Sequence, residues 1–213
     1  PVDPLPGAPR LELGHRHACG LSGTTVSCWG YNGVGETGNS VVGAGQYAPV
    51  PEPIEGLGTV TDLLAGSGYS CALADGEVQC WGAALYLGVF TLPATLPGEG
   101  GECSPDPVQV FRPPGVTWAS LVDSMAYGEA PCAIDTDGGL WCWERNGTGA
   151  LGISGGAAEP NRVPGLPPVE RAAIGAYFGC AIVEGGDVWC WGENDLGQLG
   201  RGTVMPVELA PAP

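Results

Sequence analysis

Tyr69-Ser70-Cys71-Ala72-Leu73-Ala74-Asp75-Gly76-Glu77-Val78-Gln79-Cys80-Trp81 is the stretch on which the reading of this chain turns. Asp75-Gly76 is a two-residue hairpin signal, and the residues on either side are symmetric about it. Folding the segment there sets Cys71 opposite Cys80. Directly opposed residues of a non-hydrogen-bonded antiparallel pair have Cα atoms about 4.5 Å apart, within reach of a disulfide. Trp81 follows the second cysteine and points to the other face of the sheet, because side chains alternate along a strand.

The arrangement occurs four times. Cys19/Cys28, Cys71/Cys80, Cys132/Cys142 and Cys180/Cys190 are each nine or ten residues apart, and each second cysteine runs into Trp29, Trp81, Trp143 or Trp191. The first cysteines follow one another at 52, 61 and 48 residues, which is the length of a propeller blade. Each unit opens on a short apolar strand: Leu11-Glu12-Leu13-Gly14, Leu63-Leu64-Ala65-Gly66, Ser120-Leu121-Val122-Asp123 or Ala172-Ala173-Ile174-Gly175. A looser tract closes it, as in Val50-Pro51-Glu52-Pro53-Ile54 or Pro206-Val207-Glu208-Leu209. The first hairpin turns near Ser22-Gly23-Thr24-Thr25, and the third and fourth enclose an odd number of residues, which calls for a left-handed Gly138 or Gly186. Four intrablade disulfides are therefore expected, each contributing about 2–3 kcal/mol in the chain-entropy picture.

The fold class expected is all-β: a β-propeller or propeller arc made of four repeated antiparallel four-stranded blades. The blades fall at about 10–60, 61–117, 118–169 and 170–209 of a single propeller-like domain 10–209, after a Pro-rich linker 1–9 and before a tail 210–213. The 38 glycines and 21 prolines among 213 residues leave little room for long helices. No run approaches a membrane span. Nine cysteines without a C-x-x-C hook argue against zinc and for an oxidising compartment. Cys103 is left over as a thiol outside the four bridges, of no consequence in one reading and an intermolecular disulfide or attachment point in the other. It lies in Gly98-Glu99-Gly100-Gly101-Glu102-Cys103-Ser104-Pro105, which reads as an exposed loop.

Cys190-Trp191-Gly192-Glu193-Asn194-Asp195-Leu196-Gly197-Gln198-Leu199-Gly200 resembles the signature of the regulator of chromosome condensation repeat family. Cys28-Trp29-Gly30-Tyr31-Asn32-Gly33-Val34-Gly35-Glu36-Thr37-Gly38 and Cys142-Trp143-Glu144-Arg145-Asn146-Gly147-Thr148-Gly149-Ala150-Leu151-Gly152 are similar to it. The second unit departs, with Ala83-Ala84-Leu85-Tyr86-Leu87-Gly88 in place of the Asn turn. The resemblance covers about residues 10–209 and implies a propeller, in the family usually a ring of seven blades. Four units could close as a tight ring, form an arc, or complete a ring between chains. An arc or assembly suits inter-blade angles adapted to seven. In such a fold the repeated tryptophans fill the space between blades, with Trp141 and Trp189 on the same face.

Seven arginines, no lysine and 23 acidic residues give a net charge of −16. Phosphate backbones would be repelled, so nucleic acid is excluded as a partner and the chromatin and nucleotide-exchange role of the founding family members is not carried over. His15 and His17 alternate to one side of a strand with Glu12 as the nearest third ligand, but packing explains the His17 position better, since Tyr69, Ala130 and Phe178 fill it in the other units. The acidic turns Asp135-Thr136-Asp137-Gly138-Gly139 and Glu193-Asn194-Asp195 lack the rest of a calcium loop and read as solvated tips. No cofactor, metal or catalytic set is expected. Asn146-Gly147-Thr148 matches a glycosylation sequon.

The function expected is a non-catalytic, secreted or cell-surface (extracellular or periplasmic) scaffold whose blade loops meet a protein or glycan partner. The candidate loops are 31–49, 83–106 and 145–161, and the candidate contact residues are Leu85, Tyr86, Leu87 and Phe90. One alternative is a structural subunit, a homo-oligomer tiling through blade edges into a filament or coat. Another is a propeller-fold enzyme with acidic residues at the ring mouth.

Overall fold

The computed structural model describes residue 5 and residues 10–39, 42–43, 45–84, 96–98, 101–124, 131–144, 149–152 and 157–213. Among them seventeen strands form, and no helix is long and apolar enough to cross a membrane. The chain divides into two compact units, Pro1–Phe111 with blades 1 and 2 and Arg112–Pro213 with blades 3 and 4.

Blade 1 is β1 (Arg10–Leu13), β2 (His17–Ser22), β3 (Thr25–Tyr31) and β4 (Tyr47–Pro53), paired in that order. Blade 2 holds β5 (Val60–Ala65), β6 (Tyr69–Ala74), β7 (Glu77–Ala83), β8 (Leu96–Gly98) and β9 (Gly101–Gln109), in the order β5-β6-β7-β9-β8. In the second unit blade 3 is β10 (Trp118–Ser124), β11 (Cys132–Asp135), β12 (Leu140–Glu144) and β13 (Ala157–Arg162). Blade 4 is β14 (Val169–Ile174), β15 (Phe178–Val183), β16 (Val188–Asn194) and β17 (Met205–Ala212). The first strands of these two blades pair in parallel, at Asp123 with Ala173 and Ser124 with Ile174, joining both blades into one eight-stranded sheet. β17 continues to Ala212, beyond residue 209 where the sequence pattern ends the last blade. The guanidinium of Arg201 fastens it, bonding the carbonyls of Cys190 and Ala212 and the Glu208 carboxylate.

In every blade the two cysteines are register partners, with Cα atoms 4.0–4.2 Å apart and the disulfide formed. Asp75 (φ +50°) and Gly76 (φ +79°) make the tight turn between β6 and β7, and Gly138 (φ +77°) and Gly186 (φ +88°) take the left-handed conformation in the longer turns. The outer strand pairing slips at one place in all four blades: between Cys28 and Gly30, Cys80 and Gly82, Cys142 and Glu144, and Cys190 and Gly192. Each conserved-spacing tryptophan thus sits on a β-bulge, which re-aims the side chain. Gly30, Gly82 and Gly192 lie at φ +108°, +111° and +106°. A Cβ on Gly30 would come within 2.7 Å of the Arg16 carbonyl oxygen, so the bulge needs glycine there.

The two faces of a blade have different tasks. In the first unit Cys19, Leu21, Val26 and Cys28 of blade 1 share a core with Val60, Leu63, Ala72, Ala74 and Trp81 of blade 2. In the second, Val122, Cys132, Ile134, Leu140 and Cys142 of blade 3 meet Ile174, Ala181, Val183 and Trp191 of blade 4. The disulfide face of one blade therefore packs on the tryptophan face of the next. A buried indole removes roughly 200 Å² from water, which at about 25 cal/mol/Å² favours the joint by about 5 kcal/mol before ordering costs.

Cys103 corrects the loop expected at 98–105. It is buried in β9, paired with Ala83 of β7 on one side and Leu96 of β8 on the other. Pro105, which closed the stretch read as a loop, and Pro107 after it fall in the bulge between the Cys80–Val108 and Gly82–Ser104 pairs, where a missing N–H breaks no ladder bond. A buried strand thiol is badly placed for an attachment point or an intermolecular bridge.

Candidate functional site

The polar chemistry of the described residues gathers where blades join. In blade 1 the Asn32 carboxamide oxygen accepts from Thr37 N at 3.0 Å, closing the turn after β3. In blade 4 Asn194 does the same with Leu199 N at 3.1 Å. The amide nitrogens reach the closing segments: Asn32 to Asn39 Oδ1 (2.6 Å) and Asn194 to Glu208 Oε1 (2.7 Å). Two residues into the turn a further acceptor repeats, with Val34 N donating to Glu36 and Leu196 N donating to Gln198.

This turn presents a backbone carbonyl to the neighbouring blade. Trp81 Nε1 donates to Glu36 O at 3.0 Å, and Trp191 Nε1 donates to Ala150 O at 2.8 Å; Glu36 and Ala150 hold the same place in their repeats. Trp143 is as fully buried as these two, and its Nε1 has no partner among the described residues. Trp29 is half-buried. Trp141 donates to Asp135 Oδ2 at 2.7 Å and meets Trp118 edge-on at 6.2 Å, while Trp189 packs partly buried against the blade 3–4 core.

His17 is drawn into the first joint. Its Nε2 lies 2.8 Å from Ser70 Oγ, and the Ser70 hydroxyl donates to Glu36 O at 3.1 Å. With that hydroxyl proton committed, the imidazole Nε2–H is the donor and the ring is neutral. Burial pushes the His17 pKa down to about 4, against an opposing backbone hydrogen bond at Tyr69. Burial also raises the Glu36 carboxyl above its usual range, opposed by backbone hydrogen bonds from Glu36 and Val34 and by the Arg16 charge. His15 is exposed, so the two histidines do not share a site. Among the described residues no group of three or more His, Cys, Asp or Glu could hold a metal ion.

The acidic turn at Asp135 borders a depression of about 460 Å³ with Asp137, Glu170 and Glu184 on its rim. Its central carboxylate is already engaged: Asp135 Oδ1 accepts from Asp137 N (2.9 Å) and Gly139 N (2.7 Å), and Oδ2 takes the Trp141 indole. Asp135 therefore builds the hairpin tip. Leu85, Tyr86, Leu87 and Phe90, together with the sequon Asn146, lie outside the described residues.

The repeat geometry, an Asn-closed turn whose carbonyl receives the next blade's indole, agrees with what comparison finds. The family pattern described as Regulator of chromosome condensation (RCC1) repeat matches residues 169–198, and again 185–212. Residues 169–212 carry the regulator of chromosome condensation repeat pattern. No curated protein matches the chain. Among solved structures it is similar to yeast RCC1 (Prp20), bound to Kap60, with TM-score 0.78 and 21% identity over 95% of this chain and 47% of that one. A second structure, Prp20p from Saccharomyces cerevisiae, a protein examined for binding to Gsp1p and histones, gives TM-score 0.78 and 20% identity over 95% and 49%. Human WBSCR16 gives 0.79 and 23% over 96% and 51%. The chain thus spans about half the length of these propellers, and the likeness shows an all-β propeller fold with four blades. Within the repeats, the Cys–Trp step is common to all four blades, and in sequence the Asn turn is common to all but the second. The His17–Ser70–Glu36 link belongs to one joint alone, because Ala18, Pro131 and Gly179 stand where blade 2 has Ser70. That lone serine among small and cyclic residues was the signal for it.

Proposed function

We propose that the chain is a non-catalytic protein-binding scaffold of the cell surface or extracellular space, presenting its blade loops to a partner. The observation that carries this reading is where the polar side chains have gone. His17, Ser70, Asn194 and Asp135, the groups best suited to chemistry, are all occupied in holding turns and joints together. Four intrablade disulfides support the oxidising location, since such bridges persist outside the reducing cytosol. Similar propellers bind proteins, yeast Prp20 having been solved with Kap60. Rigid blades with variable connections are suited to that use.

The loop residues Leu85, Tyr86, Leu87 and Phe90 are the proposed contacts. Replacing Tyr86, Leu87 and Phe90 together by alanine leaves the melting temperature of the oxidised chain unchanged and removes the proteins that the immobilised wild type captures from culture medium. An equal loss of stability would make the loop part of the core, and an unchanged capture profile would place the contact elsewhere.

A further inference from the structure

The joint inside each unit covers one disulfide, and the two covers differ at one place. In the first unit Leu63, Ala72 and Trp81 of blade 2 pack with Cys19 and Cys28, neither of which has exposed surface. Ser70 Oγ of blade 2 is 2.8 Å from His17 Nε2 and 3.4 Å from Cys19 Sγ. The same hydroxyl donates to Glu36 O, which also receives the Trp81 indole. One serine thus ties the imidazole, the bridge and the turn of blade 1 to blade 2. In the second unit Cys132 and Cys142 pack with Ile174, Ala181 and Trp191 of blade 4, and the sequence has Ala130 and Gly179 where His17 and Ser70 stand. That cover holds no imidazole.

His17 Nδ1 is buried and has no hydrogen-bond partner among the described residues. With the ring proton on Nε2, Nδ1 is a bare lone pair, and a second proton there makes a charged N–H without an acceptor. The charged and titratable groups around the ring are engaged in other contacts. Arg10 of β1 pairs with Glu12 and with Asp62 of β5, Arg16 lies over the Tyr31 ring of β3, and the Glu36 carboxylate accepts from Val34 N. Tyr69 of β6 opposes the effect of burial through its backbone, yet the pKa of the ring stays at about 4; His15 is exposed. We propose that the joint between blades 1 and 2 is an acid-opened cover: at neutral pH it shelters Cys19–Cys28 from reductants, and protonation of His17 parts it and admits them while Cys132–Cys142 stays covered. This inference holds whichever partner the loops bind.

Reduction of the oxidised full chain by a trialkylphosphine at pH 7.5 and pH 5 tests it. Phosphorus bonds one sulfur and supplies the electron pair as the S–S bond breaks. The other sulfur leaves as a thiolate and takes a proton, and water then cleaves the P–S bond to give the second thiol and the phosphine oxide. Free thiols are alkylated and mapped by mass over time, and the Cys19–Cys28 rate is divided by that of Cys132–Cys142, so the pH dependence of the reagent cancels. With reclosing faster than reduction, each rate follows the open population. A His17 pKa of about 4 in the joint and 6.5 outside it raises that ratio, between the two pH values, about 25-fold more in wild type than in His17→Phe. Glu36, whose carboxyl burial raises, pulls the other way in both proteins alike. If His17→Phe fails to form all four bridges, His17→Tyr, the residue type of Tyr69, takes its place. An equal rise in wild type and variant overturns the proposal. A wild-type ratio that does not move with pH overturns it too, whether neither bridge accelerates or both do so together through unfolding of the whole chain.

Discussion

Acid should weaken the joint between blades 1 and 2 through a single imidazole. His17 has an ordinary pKa of 6.5 when unfolded and about 4 in the fold, where burial disfavours its charge. Between those values the unfolded chain binds the extra proton, so stability rises with pH across the window and falls on acidification. The loss begins as pH drops through 6.5. It reaches about 2 kcal/mol at pH 5 and about 3 kcal/mol at pH 4, taking 1.36 kcal/mol per pKa unit. Glu36, whose carboxyl is raised, acts in the opposite sense: its burial costs stability as pH rises through its folded pKa. The two are separated by comparing wild type with His17→Phe, which uses the residue type that blade 4 has at this position, Phe178. Guanidinium denaturation without reductant, followed by tryptophan fluorescence at pH 7.5, 5 and 4, gives the stability difference. The wild type should lose about 2–3 kcal/mol relative to the variant between the first and last pH. A constant difference across the series would refute a neutral, desolvated His17.

Three further outcomes follow from the repeat. Trp81→Phe keeps a ring in the joint but removes the donor to Glu36 O, and should cost about 1–3 kcal/mol by denaturation; Trp191→Phe, losing the bond to Ala150 O, should cost the same. Gly192→Ala sets a Cβ 2.6 Å from the Tyr177 carbonyl oxygen at φ +106° and should lower stability by about 2 kcal/mol or more, measured by the same melts. Asn194→Asp retains the acceptor for Leu199 N but points a carboxylate at Glu208, so it should destabilise at pH 7 and recover in part below the carboxylate range.

Much of this architecture could be read before the structure. Cysteines at a constant offset from a turn signal place themselves opposite one another, because hairpin register is arithmetic, and the tryptophan beside each falls on the other face for the same reason. The uncertain parts were those where local chemistry and tertiary pairing disagree. Gly98–Pro105 has the composition of a loop, yet β7 and β8 offer β9 partners on both sides, and the bulge absorbs Pro105. His17 could be assigned to packing from its repeat position, but its partner Ser70 lies 53 residues on in another blade, and no spacing rule links them. The carbonyl that receives each indole is a backbone group, silent in the side-chain sequence. Only the geometry of the Asn turn reveals it.

The uneven covering of the four bridges has a consequence for chemistry in a reducing setting. A thiolate attacks a disulfide by reaching a sulfur atom directly, and the sulfurs of the first three bridges belong to residues with no exposed surface, whereas Cys180 is partly open. Reduction under native conditions is therefore ordered: Cys180–Cys190 opens first and fast, while Cys19–Cys28 and Cys132–Cys142, covered by blades 2 and 4, wait for those joints to part. The half-life of the slow phase is a clock for that parting, read out by alkylation and mass without any spectroscopic label.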